Sequence, residues 1–326
     1  MKNNMKIFDD VLKKIKESEN IIITSHVNPD GDAIGASLGL LLGLEKLFSD
    51  LNTTKHMRIV LQDKYPDTTN FLKYINKIEI YDENNKNYNC DLIIFVDSAD
   101  IKRTGKIANL AKNVFTINFD HHITNPSFAN LNYIKDISST SEIIFKFLNF
   151  SEIEIDKDIA ECLYTGLIND TGNFSHDNVT KDTFYMAGKL IEAGVNNSKI
   201  VSKFLKNKSY AAIKLIGESL FNMKFFKEKK LAYFYLPYEE LQKYNGRKED
   251  TENIVEKLIE YNEANVALFL REERDGVIKG SMRSKIDNID VSQISGIFGG
   301  GGHKKAAGFS SSSTEKEILN EILKNL

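Results

Sequence analysis

The chain has 326 residues, with 43 Lys and Arg against 46 Asp and Glu and a formal net charge of -3 at pH 7. Hydrophobic residues make up 41% and charged residues 27%, which excludes a collagen, a coiled coil and wholesale disorder; the length suggests about two domains. No bulk positive field is present to hold long nucleic acid by counterion release, so long nucleic acid is not an expected partner.

The start, MKNNMKIFDD, holds no apolar run of the secretory type. The longest apolar stretch, around Ala36–Leu44, contains glycine and ends in Glu45-Lys46, too short to span a bilayer. Cys90 and Cys162 belong to no CxxC pair and fit a reducing compartment. The expectation is a cytoplasmic protein with no membrane partner.

Short apolar runs alternate with helical patterns through the first half. Asn20–Ser25 reads as a buried strand, Ala33–Phe48 as a helix, Met57–Gln62 as a strand and Lys77–Tyr81 as a weaker one. Asp91–Val96 and Asn113–Phe119 are further strands, and Ser138–Asn149 and Ile159–Asn169 are helices, the first opened by a capping run of Ser and Thr. This βαβ alternation predicts an α/β fold with a doubly wound parallel sheet. A charged helical stretch follows over Lys181–Leu220. Beyond it, strands Leu231–Leu236, Val266–Arg271, Val277–Arg283 and Ala307–Ser311 mix with helices at Thr251–Glu260, Val291–Ile297 and the C-terminus. The expected division is a first domain over 1–195, a linker over 196–215 and a smaller α/β domain over 216–326, with a cleft between the two domains.

Chemistry-bearing residues gather where strands end, the place where open α/β sheets bind ligands. The first strand runs into Ser25-His26-Val27-Asn28-Pro29-Asp30-Gly31-Asp32; the next two clusters are Asp97-Ser98-Ala99-Asp100 and Asp120-His121-His122. Asp170 stands where a helix meets Gly172. One Asp at a strand end is ordinarily a cap or turn residue. Three such clusters converging are not explained that way. Asp30, Asp32, Asp97 and Asp170 in one crevice would repel, and two divalent cations would cancel the four charges. Carboxylate and imidazole donors without thiolate favour Mn2+, or Mg2+ and Co2+, and a cation pair suits phosphate-ester hydrolysis. Asp100 reads as a turn cap and Asp120 as an orienter of His121 or His122.

Later in the chain, Gly299-Gly300-Gly301-Gly302-His303 offers backbone N–H groups to an anion, and Arg283 closes a strand with a planar fork suited to phosphate. Arg103 and His176 are weaker candidates for substrate contact.

The motifs HVNPDGDAIGAS, VDSAD, FDHH and GLINDTGNF, in that order, resemble the DHH phosphoesterase family, and GGGGHKKAAGF resembles its DHH-associated C-terminal domain. The likeness is to the branch that hydrolyses very short RNA and 3'-phosphoadenosine 5'-phosphate (pAp). It implies one metal held by His26, Asp30 and Asp97 and a second by Asp32, Asp97, His121 and Asp170, with Asp97 bridging and Mn2+ as the usual cation. It implies His122 at the scissile phosphate, and Arg283, Gly301, Gly302 and His303 on the distal phosphate or nucleotide. A phosphodiesterase for pApA or a cyclic dinucleotide, and a non-catalytic nucleotide-sensing module, are the alternatives. A homodimer is left open.

Overall fold

The computed structural model describes residues 2–85 and 87–326. It divides the chain into two compact units, Met1–Asn207 and Lys208–Leu326. Among the described residues no helix is long and apolar enough to cross a membrane.

In chain order the first unit contains α1 (Lys2–Glu17), β1 (Asn20–Thr24), α2 (Gly31–Asp50), β2 (His56–Leu61), β3 (Ile78–Ile80), β4 (Leu92–Val96), β5 (Phe115–Asp120) and β6 (Leu131–Ile134). Helices α3 (Thr140–Phe150), α4 (Lys157–Asp170), α5 (Lys181–Glu192) and α6 (Asn197–Phe204) complete it. The sheet runs β3-β2-β1-β4-β5-β6 with every pairing parallel. Both faces are covered, which is why the central strands are continuous apolar runs rather than alternating ones. Ile21 and Ile23 of β1, with Leu92, Ile94 and Val96 of β4, join the large core formed with the helices. Ile22, Ile93 and Phe95 point the other way, to a smaller core with Ile107 of a 3-10 segment over Ile101–Asn113.

Helix α1 and strand β6 of the first unit lie outside the sequence expectation. Helix α1 buries Phe8, Val11 and Ile15, one helical stripe, and Phe8 stacks on Tyr133 of β6 at 4.4 Å. Strand β6 is a four-residue edge strand with only Tyr133 buried, so it carries little apolar signal. The expected linker is also more structured than its charge pattern indicates. Helix α6 occupies much of it and buries Ile200 and Phe204 in the first unit. The division between units falls at Asn207 and Lys208, inside the expected 196–215 stretch.

One sequence feature fixes how α2 approaches its neighbours. Gly31, Gly35, Gly39 and Gly43 recur every fourth residue and so form one bare stripe along the helix. A Cβ at Gly35 would lie 2.4 Å from the Cys162 carbonyl oxygen and 2.8 Å from the Gly166 nitrogen, both main-chain atoms of α4. At Gly39 it would meet Leu163 of α4, and at Gly43 Leu148 of α3. The stripe lets α2 and α4 pack backbone against backbone, which brings the start of α2 beside the end of α4. Gly35→Ala is therefore expected to destabilise the first unit by at least about 1–3 kcal/mol through overpacking. Urea unfolding followed on that unit checks it; an unchanged midpoint would contradict the close contact.

The second unit contains α7 (Tyr210–Phe221), β7 (Lys224–Phe226), β8 (Leu231–Leu236), α8 (Tyr238–Lys243), α9 (Ile254–Ile259), β9 (Val266–Glu272), β10 (Ile278–Ser284), α10 (Val291–Gly296), β11 (Gly301–His303), β12 (Ala306–Ser311) and α11 (Glu315–Asn325). Its sheet runs β11-β12-β10-β9-β8-β7, antiparallel except for β8 with β9. Leu268, Met282 and Phe309 face α10 and α11, while Ala267 and Phe269 face α7 and α9. Part of the glycine run is a strand. Gly301–His303 forms the edge strand β11 against Ala306–Gly308 of β12. Gly300 and Gly302 are needed for that pairing, because a Cβ would stand 2.3 Å from the Gly308 oxygen or 2.5 Å from the Ala306 oxygen. Gly302 also has φ +146, a region glycine adopts without penalty.

Candidate metal centre

The strand order reverses between β1 and β4, and the parallel strands deliver their carboxyl ends to that crevice. The β1 end supplies His26 and Asp30, β4 supplies Asp97, and β5 supplies Asp120 and the two histidines. The α2–α4 contact adds Asp32 from the first turn of α2 and Asp170 from the last residue of α4.

Three overlapping groups result, each with ligand atoms lying within 4.8 Å of one another. They are His26, Asp30 and Asp97; Asp32, His121 and Asp170; and Asp97, His121 and His122. Asp97 is at the centre. One of its oxygens lies 3.4 Å from His26 Nε2 and the other 3.5 Å from His121 Nε2. His121 Nε2 is also 3.0 Å from an Asp170 oxygen. Asp97 has φ +55, uncommon for a residue with a Cβ but most accessible to Asp and Asn. The main chain at this strand end turns sharply to aim the carboxylate inward.

The partners of these groups hold them in place. Asp30 caps α2, accepting from the Asp32 and Ala33 backbone N–H groups at 2.9 and 3.1 Å. Asp32 points at the N-terminus of α3, where the Thr140 and Ser141 N–H groups donate to its two oxygens at 2.7 and 2.9 Å. That helix end is favourable for a negative charge. The Thr140 hydroxyl donates to Asp97 at 3.1 Å, so one residue contacts two carboxylates of the cluster. The Ser and Thr run that the sequence marks as a helix cap thus has a second use, which a capping pattern alone does not disclose.

The histidines fall into two kinds. His26 and His121 place Nδ1 against the backbone oxygens of Val27 and Ile137, at 2.9 and 3.3 Å, and turn Nε2 toward the carboxylates. That is the usual arrangement of a metal-ligating imidazole. His122 instead sets Nδ1 2.7 Å from an oxygen of the fully buried Asp120. Asp120 is itself held by Asn125 Nδ2 at 2.6 Å. Asp120 therefore orients His122, and the sequence offered no signal for Asn125.

Without cations the cluster is electrostatically frustrated. Burial, then the nearby charges of Asp97 and Asp170, raises the Asp30 carboxyl to about 6. Burial, then Asp170 and Asp97, likewise raises Asp32. Burial alone would lower His26 and His121, but their carboxylate partners outweigh it and bring them to about 9 and about 11. Burial of Asp97 is outweighed by its histidine neighbours, which hold its carboxyl below the usual range. Without cations, protonated imidazoles supply positive charge and neutral carboxyls remove negative charge from the cluster.

The weaker candidates stand outside the ligand groups. Arg103 is exposed, and its backbone oxygen, not its guanidinium, meets the site by accepting from Val27 N–H at 2.6 Å. His176 Nδ1 lies 2.9 Å from the Asp170 carbonyl oxygen, beside the cluster. Asp100 caps the following turn through Lys102 N–H. In the second unit, Arg283 Nη2 is paired with Glu256 at 2.6 Å. His303, Ala306 and Arg283 occupy one row across β11, β12 and β10, so their side chains share a sheet face. Gly301, two residues before His303 on that face, has nothing within 4 Å of where a Cβ would be.

A Rossmann-ordered parallel sheet that converges four carboxylates and three histidines at its switch point defines a metal-dependent phosphoester hydrolase. Residues 20–167 match the DHH family N-terminal domain and residues 228–326 match the DHHA1 domain; the chain belongs to the DHH phosphoesterase family and is an enzyme. It is 31% identical to the bifunctional oligoribonuclease and PAP phosphatase NrnA of Thermus thermophilus, over 93% of this chain and 87% of that one. It is 28% identical to the probable bifunctional oligoribonuclease and PAP phosphatase NrnA of Streptococcus mutans, over 99% of both chains. The crystal structure of an exopolyphosphatase-related protein from Bacteroides fragilis superimposes with a TM-score of 0.90 at 28% identity, covering 98% of this chain and 95% of that one.

Proposed function

We propose that the protein is a manganese-dependent phosphoesterase that degrades very short oligoribonucleotides to mononucleotides and removes the 3'-phosphate of pAp. The observation that carries the reading is that Asp97 sets one oxygen against His26 of one ligand group and the other against His121 of the group with Asp32 and Asp170. The relatives named for both activities along nearly the full chain support the substrate class. The donor set fits the cations: oxygen and imidazole ligands with no thiolate suit Mn2+, and two dications offset four carboxylates. His26, Asp30 and Asp97 would hold one, and Asp32, Asp97, His121 and Asp170 the other. Bound there, the cations supply a polarised phosphoryl oxygen and a water of lowered pKa.

The protein's own groups perform the remaining tasks. Asp120 fixes the tautomer and direction of His122, which leaves Nε2 as the imidazole atom presented to the phosphate or to its departing oxygen. The Thr140 and Ser141 N–H groups orient Asp32 and favour its charged form against the burial that opposes it. On the second unit, Arg283, Gly301, Gly302 and His303 would take the distal phosphate or nucleotide. The Arg283–Glu256 pair is partly exposed and worth only about 0–1 kcal/mol, so a phosphate can replace Glu256 at little cost. Arg103 and His176 would add contacts near the metal centre.

A product time course with Mn2+ on pAp, pApA, a pentanucleotide and a long RNA tests this reading. The net charge of -3 gives little long-range attraction for a polyanion, and the anion contacts suffice for a phosphate or two. We expect kcat/KM to fall once RNA exceeds a few nucleotides. A profile that is flat or rises with length would reject the short-substrate reading. Arg283→Ala is expected to raise KM for pAp about tenfold, the loss of one charged hydrogen bond, with bound metal unchanged by elemental analysis. Loss of metal in that variant would refute its assignment to substrate.

A further inference from the structure

We infer that Phe174 and Phe184 form a stacking platform for one nucleobase of the substrate, next to the metal centre. The inference rests on the reading of the protein as a hydrolase of short RNA; it identifies what would grip a base rather than a phosphate.

The chain leaving Asp170 doubles back onto it. The carbonyl oxygen of Asp170 lies 2.9 Å from His176 Nδ1 and 3.2 Å from Asn178 Nδ2, so the far end of the segment closes on the peptide group from which it leaves. Within that segment Asn173 and Phe174 have φ +54 and +66. Asn tolerates this left-handed region, but an aromatic residue there is an outlier. Such conformations persist where the surroundings impose them, and they concentrate at functional sites.

Here the imposed conformation sets the Phe174 ring into a ladder. Its centroid lies 6.3 Å from that of Tyr164, whose side chain is buried in α4, and 5.4 Å from that of Phe184, nearly parallel at 18°. Phe184 is 58% exposed. The ladder therefore runs from the core at Tyr164 to an open ring at Phe184, and its middle ring, Phe174, lies four residues after Asp170.

Helix α5 keeps that ring uncovered. Gly188 lies one turn after Phe184 on the same face. A Cβ at Gly188 would meet nothing within 4 Å, so no packing contact calls for glycine, which is unfavourable in a helix interior. Side chains on a helix lean toward its N-terminus, so a longer residue at 188 would lie back over Phe184. Two locally disfavoured residues, Phe174 and Gly188, thus serve one ring stack. Bases stack on such rings with little regard to sequence. Lys181, exposed one turn before Phe184, places a positive charge on that face for the adjoining phosphate.

The test is kcat/KM with Mn2+ on an RNA trinucleotide and on the same trinucleotide made abasic at each position in turn, for wild type, Phe184→Ala, Phe184→Tyr and Gly188→Leu. Phe184→Ala is expected to lose about tenfold on the intact trinucleotide, and Gly188→Leu a similar amount; Phe184→Tyr should retain the wild-type value. One abasic position should cost wild type about tenfold and Phe184→Ala nothing further. The inference is overturned if Phe184→Ala equals wild type on the intact trinucleotide. It is equally overturned if the abasic penalty persists in the variant, or if the variant only changes subunit association. A wild-type enzyme that hydrolyses pAp but not the trinucleotide would instead remove the short-RNA reading, and the platform with it.

Discussion

Stripping divalent cations is expected to abolish hydrolysis and to lower the melting temperature of the first unit, with Mn2+ restoring both. The reason is the charge balance of the cluster. Asp30, Asp32, Asp97 and Asp170 lie in one crevice, and the Asp30 and Asp32 carboxyls are held above their ordinary range by burial and by the charges of Asp97 and Asp170. Cations that bind only the folded state stabilise it by mass action, about 2.7 kcal/mol per site at a hundredfold excess over Kd. Two sites supply about 5 kcal/mol, which shifts a unit of this size by roughly 10–20 °C. Calorimetry on cation-free and Mn2+-loaded protein reads the shift in the first unit's transition. Full turnover by protein shown metal-free by elemental analysis would defeat the two-metal proposal.

Asp97→Asn is the substitution with the largest expected effect on chemistry. Asn keeps the shape and tolerates φ +55, so the strand end can hold its turn. What disappears is one negative charge that faces His26 and His121 at once. If Asp97 bridges two cations, both affinities fall together and kcat drops by roughly a thousandfold, about 4 kcal/mol of transition-state stabilisation. Metal titration should show weakening at two sites. A variant with near-normal kcat, or one that loses a single site only, would show that Asp97 does not serve both groups.

Much of the site is written in local sequence because parallel strands bring their carboxyl ends to one edge. Once β1, β4 and β5 are recognised as strands, the residues that follow them must meet there, so His26, Asp30, Asp97, His121 and His122 are readable as neighbours before any coordinates. Asp32 and Asp170 follow from the same motifs, but their meeting depends on how closely α2 and α4 pack, and that distance is set by the glycine stripe. The state of Arg283 could not be read: its Glu256 partner lies on a different element, 27 residues away. Nor could the glycine run be read as a strand, since β11 exists only by pairing with β12.

The fold class, the family and the residues that gather in the carboxylate and histidine cluster are legible in the chain, because hydrophobic periodicity and strand-end motifs are local properties. The folded arrangement was needed to show which imidazole nitrogen faces the carboxylates, that Asp120 serves His122 rather than His121, that the N-terminus of α3 holds Asp32, and that Phe174 stacks on Phe184. Some of these are long-range contacts, as with the 108-residue separation between Asp32 and Thr140, and the close pairs, Asp120 with His122 and Phe174 with Phe184, depend on side-chain directions that the packed surroundings set. Local periodicity shows which face of an element is buried but carries no term for the polar group it will meet from another element.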